Sequence, residues 1–419
     1  MKKVELLAPA GNMTKLKTAF LFGADACYMG GSQFGLRAKA DNFTLEEMKE
    51  AVEMANGLNK KIYVTVNILP RDDDMSQMLE YARKLYEIGV HAVIISDIGF
   101  FNLVREEIPG LEIHVSTQAN NLNSQTVKFW AKNGAARVNL ARELTLSEIG
   151  KINSALLKDG IDCELEAFVH GSMCMAYSGR CLISDFLADR SSNRGDCAQP
   201  CRWKYSLVEE KRPGEYMPVE ETEHGTFIFN SKDLCMVEHI DKMIESGISS
   251  LKIEGRMKSE FYTAVVVRAY RIAIDEYYKD PLGYKNKMDL HKELLEELSS
   301  VSHRDYSTGF YLGERGSQVY ASASYIRDTQ FIGTIEKCDK ISDNMYEIMF
   351  HLRGDFNKGD TLEFVTPADG IFKETIHEMY DEEKNAIDRA AKAMMVTRLR
   401  VPFFAAPGSV IRKRKAQEG

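Results

Sequence analysis

The sequence predicts an α/β protein: a TIM-like (β/α)8 barrel with a cysteine-rich insertion and a small C-terminal β-barrel domain. The main observation is periodicity. Over residues 1–260, short β-branched runs alternate with amphipathic stretches about every 25 to 30 residues. Eight such units fit a closed parallel barrel better than an open doubly wound sheet. No G-x-G-x-x-G sequence follows the first run, which weakens a dinucleotide-binding alternative.

Each kind of element can be justified from its own residues. The amphipathic stretches at 44–59, 74–89 and 145–160 open with a Thr or Asp that can cap a helix, and they end near Gly or Asn. The short runs between such stretches have the β-branched character of buried strands. The predicted strands are residues 4–11, 26–31, 61–68, 92–96, 112–120, 137–144, 163–171 and 249–255.

The pattern changes in the last quarter of the chain. From Phe331 onward, short strands are separated by turn residues, which predicts a separate β domain. We therefore assign residues 1–325 to the barrel, including a cysteine segment at 170–204, and residues 326–419 to the small domain. The polar stretch 209–225 is predicted to be an excursion or hairpin that could form part of a lid.

Charge and hydropathy limit the possible partners. The net charge of -8 argues against a protein that coats nucleic acid indiscriminately. Residues 180–212 hold seven basic against five acidic side chains, and residues 391–417 hold seven basic and no acidic ones. These segments could form a local basic face or simply a solvated surface. No signal peptide or run of about 18 uncharged apolar residues is found, so we expect a cytoplasmic protein with no membrane partner.

Four of the eight cysteines fall within one short segment, in the spacing C-x6-C-x15-C-x3-C. They are Cys174, Cys181, Cys197 and Cys201. Four thiolates are what an iron–sulfur cluster requires, and this is the leading interpretation. Structural zinc stays open, although its cysteines usually come as two close pairs, and so does disulfide pairing, although it needs an oxidising compartment. The other cysteines are predicted to be core residues: Cys27, Cys163, Cys235 and Cys338.

Polar residues at the strand ends are the candidate catalytic groups, because barrels of this kind carry their active sites there. The eighth predicted strand has Lys252, Glu254 and Arg256 at alternate positions, so all three should project to one face. They could grip an anionic substrate, with Glu254 transferring a proton, or form a structural salt-bridge network. His170 ends the seventh strand, where it could be a general acid or base, a donor that tunes a cluster, or a satisfied core group.

The run over residues 166–184, which contains the first two clustered cysteines, resembles the signature of the collagenase-like peptidase family of unassigned catalytic type. The likeness continues along the chain in LLAPAG, GADACYMGG, STQANN and SLKIEGRMKS. It implies that the four clustered cysteines hold an iron–sulfur cluster, expected to be 4Fe–4S. Within the family, the chain is similar to the branch associated with oxygen-independent formation of 5-hydroxyuridine at the wobble position of tRNA, using prephenate.

This resemblance implies a barrel mouth that holds a small dicarboxylate beside the cluster. The expected catalytic residues are His170, Lys252 and Glu254, and the expected substrate-binding residues are His114, Gln118, Arg142 and Arg256. A flipped uridine would enter the same mouth, because a ring carbon of a stacked base cannot be reached, and the basic segments would hold tRNA phosphates. The alternatives are a metal-dependent or cysteine peptidase and an RNA-binding accessory subunit. A paralogous partner subunit is also left open.

Overall fold

A computed structural model describes residues 3–35, 42–174, 176–203, 221–222, 225–226, 232–313 and 328–415. Seven parallel strands follow one another in chain order. They are β1 (Glu5–Pro9), β2 (Ala26–Gly30), β3 (Lys61–Val66), β4 (Ala92–Ile95), β5 (Ile113–Val115), β6 (Arg137–Asn139) and β7 (Glu164–Ser172). The later strands of this part are β8 (Glu221–Thr222), β9 (Gly225–Thr226), β10 (Asp233–Cys235), β11 (Ser250–Ile253) and β12 (Tyr306–Ser307).

Strand β11 closes the barrel, because it pairs in parallel with both β7 and β1. The closed ring of eight parallel strands confirms the predicted fold class. Strands β5 and β6 are shorter than predicted, at three residues each. After β5 the chain turns because the Ser116 hydroxyl accepts the Gln118 N–H at 3.3 Å and starts a short 3-10 turn.

The helices cover the outside of the barrel. They are α1 (Met13–Leu21), α2 (Leu45–Gly57), α3 (Asp72–Glu87), α4 (Ile98–Glu107), α5 (Ser124–Lys132), α6 (Leu146–Lys158), α7 (Ile183–Ala188), α8 (Ile240–Glu245), α9 (Glu260–Lys279) and α10 (Met288–Leu298). Thr44 and Thr145 each form a capping box at the predicted helix starts. The predicted cap Asp74 is instead in the first turn of α3, where its carboxylate accepts the Arg71 N–H at 2.7 Å. No helix in the described part of the chain is long and apolar enough to cross a membrane.

The sheet extends beyond the barrel on one side. The end of β7 pairs antiparallel with β10, and β12 pairs in parallel with β10. The cysteine segment and the polar stretch 209–225 lie between β7 and β10. Much of the polar stretch lies outside the described residues, and the structure gives one antiparallel pair at its end, β8 with β9. Whether this stretch acts as a lid stays a prediction.

The C-terminal domain is a curled antiparallel sheet with its own apolar core. Its strands are β13 (Thr329–Ser342), β14 (Met345–His351), β15 (Phe356–Asn357), β16 (Thr361–Val365), β17 (Ile371–Thr375), β18 (Met379–Tyr380), β19 (Arg389–Ala390), β20 (Val396–Val401) and β21 (Val410–Arg414). The long strand β13 changes register against both β14 and β21, which lets it bend through the two halves of the sheet. The seven main strands run in the order β17-β16-β21-β13-β14-β20-β18.

The basic residues near the C-terminus are largely neutralised by carboxylates of the same domain and of α10. The ion-paired residues are Arg398 with Glu347, Arg400 with Glu378, Arg412 with Glu297 and Glu363, Lys413 with Asp360, and Arg414 with Glu363. The expectation that this segment holds RNA phosphates is therefore not favoured by its geometry, because these cations already have partners.

Arg412 attaches the C-terminal domain to the barrel. Its guanidinium is fully buried and donates to both carboxylate oxygens of Glu297 in α10, at 2.7 and 2.8 Å. It also donates to Glu363 in β16 and to the Ser300 hydroxyl, each at 2.7 Å. These hydrogen bonds fix the position of the C-terminal domain relative to the barrel. A displacement would leave the buried guanidinium and carboxylates without partners and away from water.

Replacing Arg412 with Met should destabilise the protein by about 3 to 5 kcal/mol, because the buried Glu297 carboxylate loses its partner and Glu363 loses its one buried partner. Denaturant unfolding of the whole chain measures this loss. The control is Arg414→Met: Arg414 also contacts Glu363, but its side chain is 49% exposed, and the expected cost is about 1 kcal/mol or less. Equal losses for the two variants would contradict the assigned role of Arg412.

Candidate active site at the barrel mouth

The inside of the barrel holds a layer of buried charges. Arg137 on β6 reaches across to Glu5 on β1, with 3.2 Å between Nη2 and Oε2. The same guanidinium contacts Glu164 at 2.6 Å and Glu166 at 3.3 Å, both on β7. Arg137 is only 3% exposed, so its charge depends on these carboxylates rather than on water.

Lys252 belongs to this layer. Its Nζ lies 2.7 Å from Glu166 Oε1 and 4.5 Å from the centre of the Tyr28 ring. Burial opposes ionisation of Glu166, but Lys252 and Arg137 outweigh it and hold the pKa of Glu166 below its ordinary value. Lys252 therefore sits in a salt-bridge network inside the barrel, the alternative that the sequence left open, and its catalytic role stays a prediction.

His114 also lies in the barrel interior, below the mouth where it was expected. Its ring packs edge-on against Tyr63 at 4.6 Å, and its Nε2 is 2.9 Å from a Glu112 carboxylate oxygen. The side chain is 2% exposed, and burial is the main reason why its pKa is lowered. The prediction that His114 lines the mouth is wrong in position. His114 is the middle residue of β5, so its ring lies inside the barrel and not at the end of the strand.

Lys252, Glu254 and Arg256 do not continue along one strand face as predicted. Strand β11 ends at Ile253, and its register against β7 shifts between Lys252 and Ile253. Glu254 and Arg256 consequently belong to the loop above the strand. The difference arises because period-two geometry applies only while the strand continues.

Arg142 and Glu254 meet at the mouth, which is formed by the C-terminal ends of the barrel strands. The Arg142 guanidinium lies 3.7 Å from the centre of the Phe168 ring, donates to the Ser172 carbonyl at 2.8 Å, and is 3.8 Å from the Glu254 carboxylate. The Tyr28 hydroxyl is 3.4 Å from the same carboxylate. The aromatic ring and the carbonyl hold the cation in one orientation.

Arg256 is a second cation at the mouth. It is 4% exposed and donates to the Thr65 hydroxyl at 3.1 Å and to the Asn42 side chain at 3.3 Å. Gly30, at the end of β2, leaves the space for this guanidinium, since a Cβ there would collide with it. A larger residue at this position would displace Arg256.

Three amides lie at the ends of β3, β5 and β6, whereas the Arg142 guanidinium is directed to β7 and the loop after β11. They belong to Asn67, Gln118 and Asn139. Asn67 Nδ2 is 3.5 Å from the Ser116 hydroxyl oxygen, which also accepts the Gln118 N–H. The side-chain carbonyl oxygens of all three amides are buried and have no hydrogen-bond partner. Gln118 was among the expected substrate-binding residues, whereas Asn139 was missed.

His170 does not line the mouth. Its ring is 1% exposed and packs against Tyr262, Tyr270 and Tyr306 at 5.9, 5.5 and 5.4 Å. Burial is the main reason why its pKa falls to about 3. The register shift in β7 pairs His170 with the outward-facing Ile253, so the ring turns towards α9. This placement is that of a core histidine, the third possibility that the sequence left open.

The cysteine segment lies across the mouth and is tied to three strand ends. The Ser178 hydroxyl donates to Glu143 at 2.8 Å, after β6. Arg180 donates to the Gln118 carbonyl at 2.9 Å, after β5. Arg194 pairs with Asp74 at 2.7 Å, beyond β3. These contacts place the segment directly above the amide side of the mouth.

None of the four clustered cysteines is joined in a disulfide bond, so the disulfide alternative is not what the structure contains. Cys174 and Cys197 are exposed, and Cys181 and Cys201 are half-buried. Backbone N–H groups two residues further along donate to Cys181 Sγ at 3.4 Å and to Cys197 Sγ at 3.3 Å. Such bonds stabilise thiolate ligands.

The donor chemistry of the segment therefore fits an iron–sulfur cluster, because it offers four thiols outside disulfide bonds and two of them accept backbone N–H groups. Among the residues that the structure describes, however, no group of three or more His, Cys, Asp or Glu side chains is arranged to hold a metal ion. The four sulfurs would have to draw together around a cluster. The iron–sulfur assignment thus stays a prediction from the sequence.

Several interior residues were missed in the sequence. Arg137, Glu164 and Glu5 were not singled out, although Arg137 and Asn139 stand at alternate positions of one predicted strand, as do Glu164 and Glu166. A charged residue at a position that should point into a barrel is the signal that could have found them, because such a charge requires a partner across the barrel.

The placement of His170 leads to a pH prediction. In the unfolded chain His170 has its ordinary pKa of 6.5, whereas in the folded protein its pKa is about 3. Between these two pH values the unfolded state binds a proton that the folded state does not bind. The free energy of unfolding should therefore fall as the pH decreases through this range. His170→Phe should reduce this loss, which calorimetry at several pH values measures. The same substitution at exposed His377 is the control. An unchanged pH dependence in His170→Phe would argue against a neutral, buried imidazole.

Comparison with known proteins identifies the family. The model for peptidase family U32 matches residues 11–320, and that for the peptidase family U32 C-terminal domain matches residues 327–412. The tRNA hydroxylation protein P1 of Bacillus subtilis is 40% identical over 416 residues, covering 99% of this chain and 96% of that protein.

Two further relatives carry different names. A protein of Porphyromonas gingivalis named collagenase is 30% identical over 406 residues, covering 94% of each chain. The 23S rRNA 5-hydroxycytidine C2501 synthase of Escherichia coli is 37% identical over 273 residues, covering 65% of this chain and 39% of that protein. The matches over both parts of the chain confirm the resemblance seen in the sequence: the protein belongs to peptidase family U32.

Proposed function

We propose that this protein is an iron–sulfur enzyme that hydroxylates the wobble uridine of tRNA to 5-hydroxyuridine, without oxygen and with prephenate as co-substrate. The observation that carries the proposal is the similarity to tRNA hydroxylation protein P1 over 99% of the chain. A relative named as a 5-hydroxycytidine synthase of rRNA supports chemistry on an RNA base. The proposal implies a cytoplasmic location, where tRNA is found.

The Arg142 side of the mouth suits a small dicarboxylate. A guanidinium binds a carboxylate through two parallel N–H groups, and the contacts with Phe168 and Ser172 fix its plane before the ligand arrives. Arg256 supplies a second positive charge on the loop after β11. Glu254, 3.8 Å from Arg142, is the carboxylate best placed to accept or return a proton.

The four thiols above the mouth are the proposed cluster ligands. They are Cys174, Cys181, Cys197 and Cys201. A bound cluster would supply one-electron or Lewis-acid chemistry next to the mouth. The chain itself positions the segment through Glu143, Gln118 and Asp74, as described above. A uridine would have to leave its stack to bring C5 to this place.

Deleting the gene should abolish 5-hydroxyuridine in tRNA, as measured by mass spectrometry of tRNA nucleosides. Restoring the gene should restore the nucleoside. Unchanged modification in a deletion strain that has no paralogue would refute the proposed function. A purified protein that modifies tRNA alone would exclude the accessory-subunit alternative and the need for a partner subunit.

Cys181→Ser should reduce the modification at least about tenfold in the complemented deletion strain, because one cluster ligand is lost. Cys338→Ser is the matched control, since Cys338 lies in the C-terminal domain and contacts the Ala405 N–H there. Iron and sulfide analysis of anaerobically purified protein should show both elements in the control and a loss in Cys181→Ser. Zinc without sulfide, or full activity of Cys181→Ser, would contradict the cluster assignment.

A peptidase is the second candidate, because the relative named collagenase matches 94% of the chain. The geometry gives it little support. His170 Nδ1 is 3.4 Å from the Tyr270 hydroxyl, and Ser178 donates to Glu143 instead of contacting a histidine. Iron-loaded protein incubated with denatured collagen tests this candidate directly, and hydrolysis that is lost in Cys181→Ser would favour it.

A further inference from the structure

The mouth has two chemically different sides, and we propose that the amide side, formed by Asn67, Gln118 and Asn139, reads the Watson–Crick edge of a pyrimidine base. The Arg142 side is then left for the anionic co-substrate. The inference rests on the proposed function for the identity of the RNA substrate. It goes further by assigning the residues that recognise the base and by fixing which way the base faces.

Asn139 is the central observation. Arg137, two residues earlier on β6, reaches across the barrel to Glu5, so strand alternation turns Asn139 into the barrel as well. Asn139 is 2% exposed, yet its side-chain carbonyl oxygen has no hydrogen-bond partner. An unpaired buried acceptor is costly, and such groups in native proteins call for a specific explanation such as a ligand.

Asn67 and Gln118 repeat the pattern at the neighbouring strand ends. The carbonyl oxygens of both side chains are buried and unpartnered. The Gln118 backbone is fixed on both sides, because its N–H donates to Ser116 and its carbonyl accepts from Arg180. Its unpartnered side-chain oxygen thus belongs to a well-anchored turn.

Three unpaired acceptor oxygens at the mouth favour a ligand that donates hydrogen bonds. A carboxylate or phosphate would bring its own lone pairs against them, whereas an N–H group would be bound. The imide edge of uracil has an N–H between two carbonyls. The Asn139 carboxamide can accept from that N–H and donate its NH2 group to the adjacent carbonyl, which gives a bidentate pair.

This orientation has a consequence for the reaction. The C5 carbon of uracil lies on the opposite side of the ring from the C2–N3 edge. A base held by the amides therefore turns C5 towards Arg142, Glu254 and the proposed dicarboxylate site. The two ligands would then meet with the reacting carbon between them, as proximity in catalysis requires.

The inference is tested by binding alone, with the full-length protein. The probes are a stem-loop RNA with one unpaired uridine, the same RNA with N3-methyluridine at that position, and prephenate. We expect N3-methylation to weaken RNA binding about tenfold in the unmodified protein. Asn139→Leu should bind both RNAs equally weakly, so the effects of methylation and substitution should not add.

Prephenate binding separates the two sides of the mouth. It should be unchanged in Asn139→Leu and at least about tenfold weaker in Arg142→Gln, whereas Arg142→Gln should keep the discrimination against N3-methyluridine. Asn102→Leu, on the exposed part of α4, is the matched control for the asparagine substitution. Asn139→Asp keeps the shape of the side chain and its acceptor but replaces the NH2 donor with a second acceptor, and circular dichroism of both Asn139 variants monitors folding.

Equal affinity of the unmodified protein for the two RNAs would overturn the inference. The inference would also be overturned if Asn139→Leu still bound the uridine RNA more tightly than the N3-methyluridine RNA. Loss of prephenate binding in a folded Asn139→Leu variant would overturn it as well. Failure of the proposed function has a different readout, because the deletion strain would then keep its 5-hydroxyuridine. If the protein discriminates against N3-methyluridine but the deletion strain keeps its 5-hydroxyuridine, the base-binding subsite is supported and the proposed reaction is refuted.

Discussion

The buried contact between Arg137 and three carboxylates is the constraint on which the site depends. Barrels of this type are usually filled by branched apolar side chains, and here part of the interior is ionic. Removing one partner of such a network leaves an uncompensated charge away from water, so Glu5, Glu164, Glu166 and Lys252 must keep their relative positions. The network joins β1, β6, β7 and β11, and it forms a rigid layer of side chains inside the barrel below the mouth.

The mouth above this layer combines the guanidinium groups of Arg142 and Arg256 with amide side chains whose oxygens have no hydrogen-bond partner. Arg142 is held by an aromatic ring and a backbone carbonyl, and the amides are held by strand β6 and the turn after β5. The cysteine segment is anchored to the same turn through Arg180. Two arginines, three unpaired amide oxygens and four thiols therefore lie around one opening.

The histidine shows how a strand irregularity changes a functional interpretation. By sequence, His170 stands at a strand end beside the first clustered cysteine, which is a typical place for a general acid or base. A single register shift in β7 turns the ring outward to three tyrosines. The residues that take its place at the mouth are Arg142 and Glu254, on the loops after β6 and β11.

The sequence by itself determined the alternation of eight strands with helices, the C-terminal β domain, the capping boxes at Thr44 and Thr145, and the family. These follow from local patterns of hydrophobicity and capping, which act over a few residues. Only the tertiary structure decided that Arg137 meets Glu5, 132 residues away, that Lys252 lies under the mouth, and that Asn139 has an unpaired oxygen. Barrel closure and strand register set these contacts, and neither is encoded by the spacing of residues within a single strand.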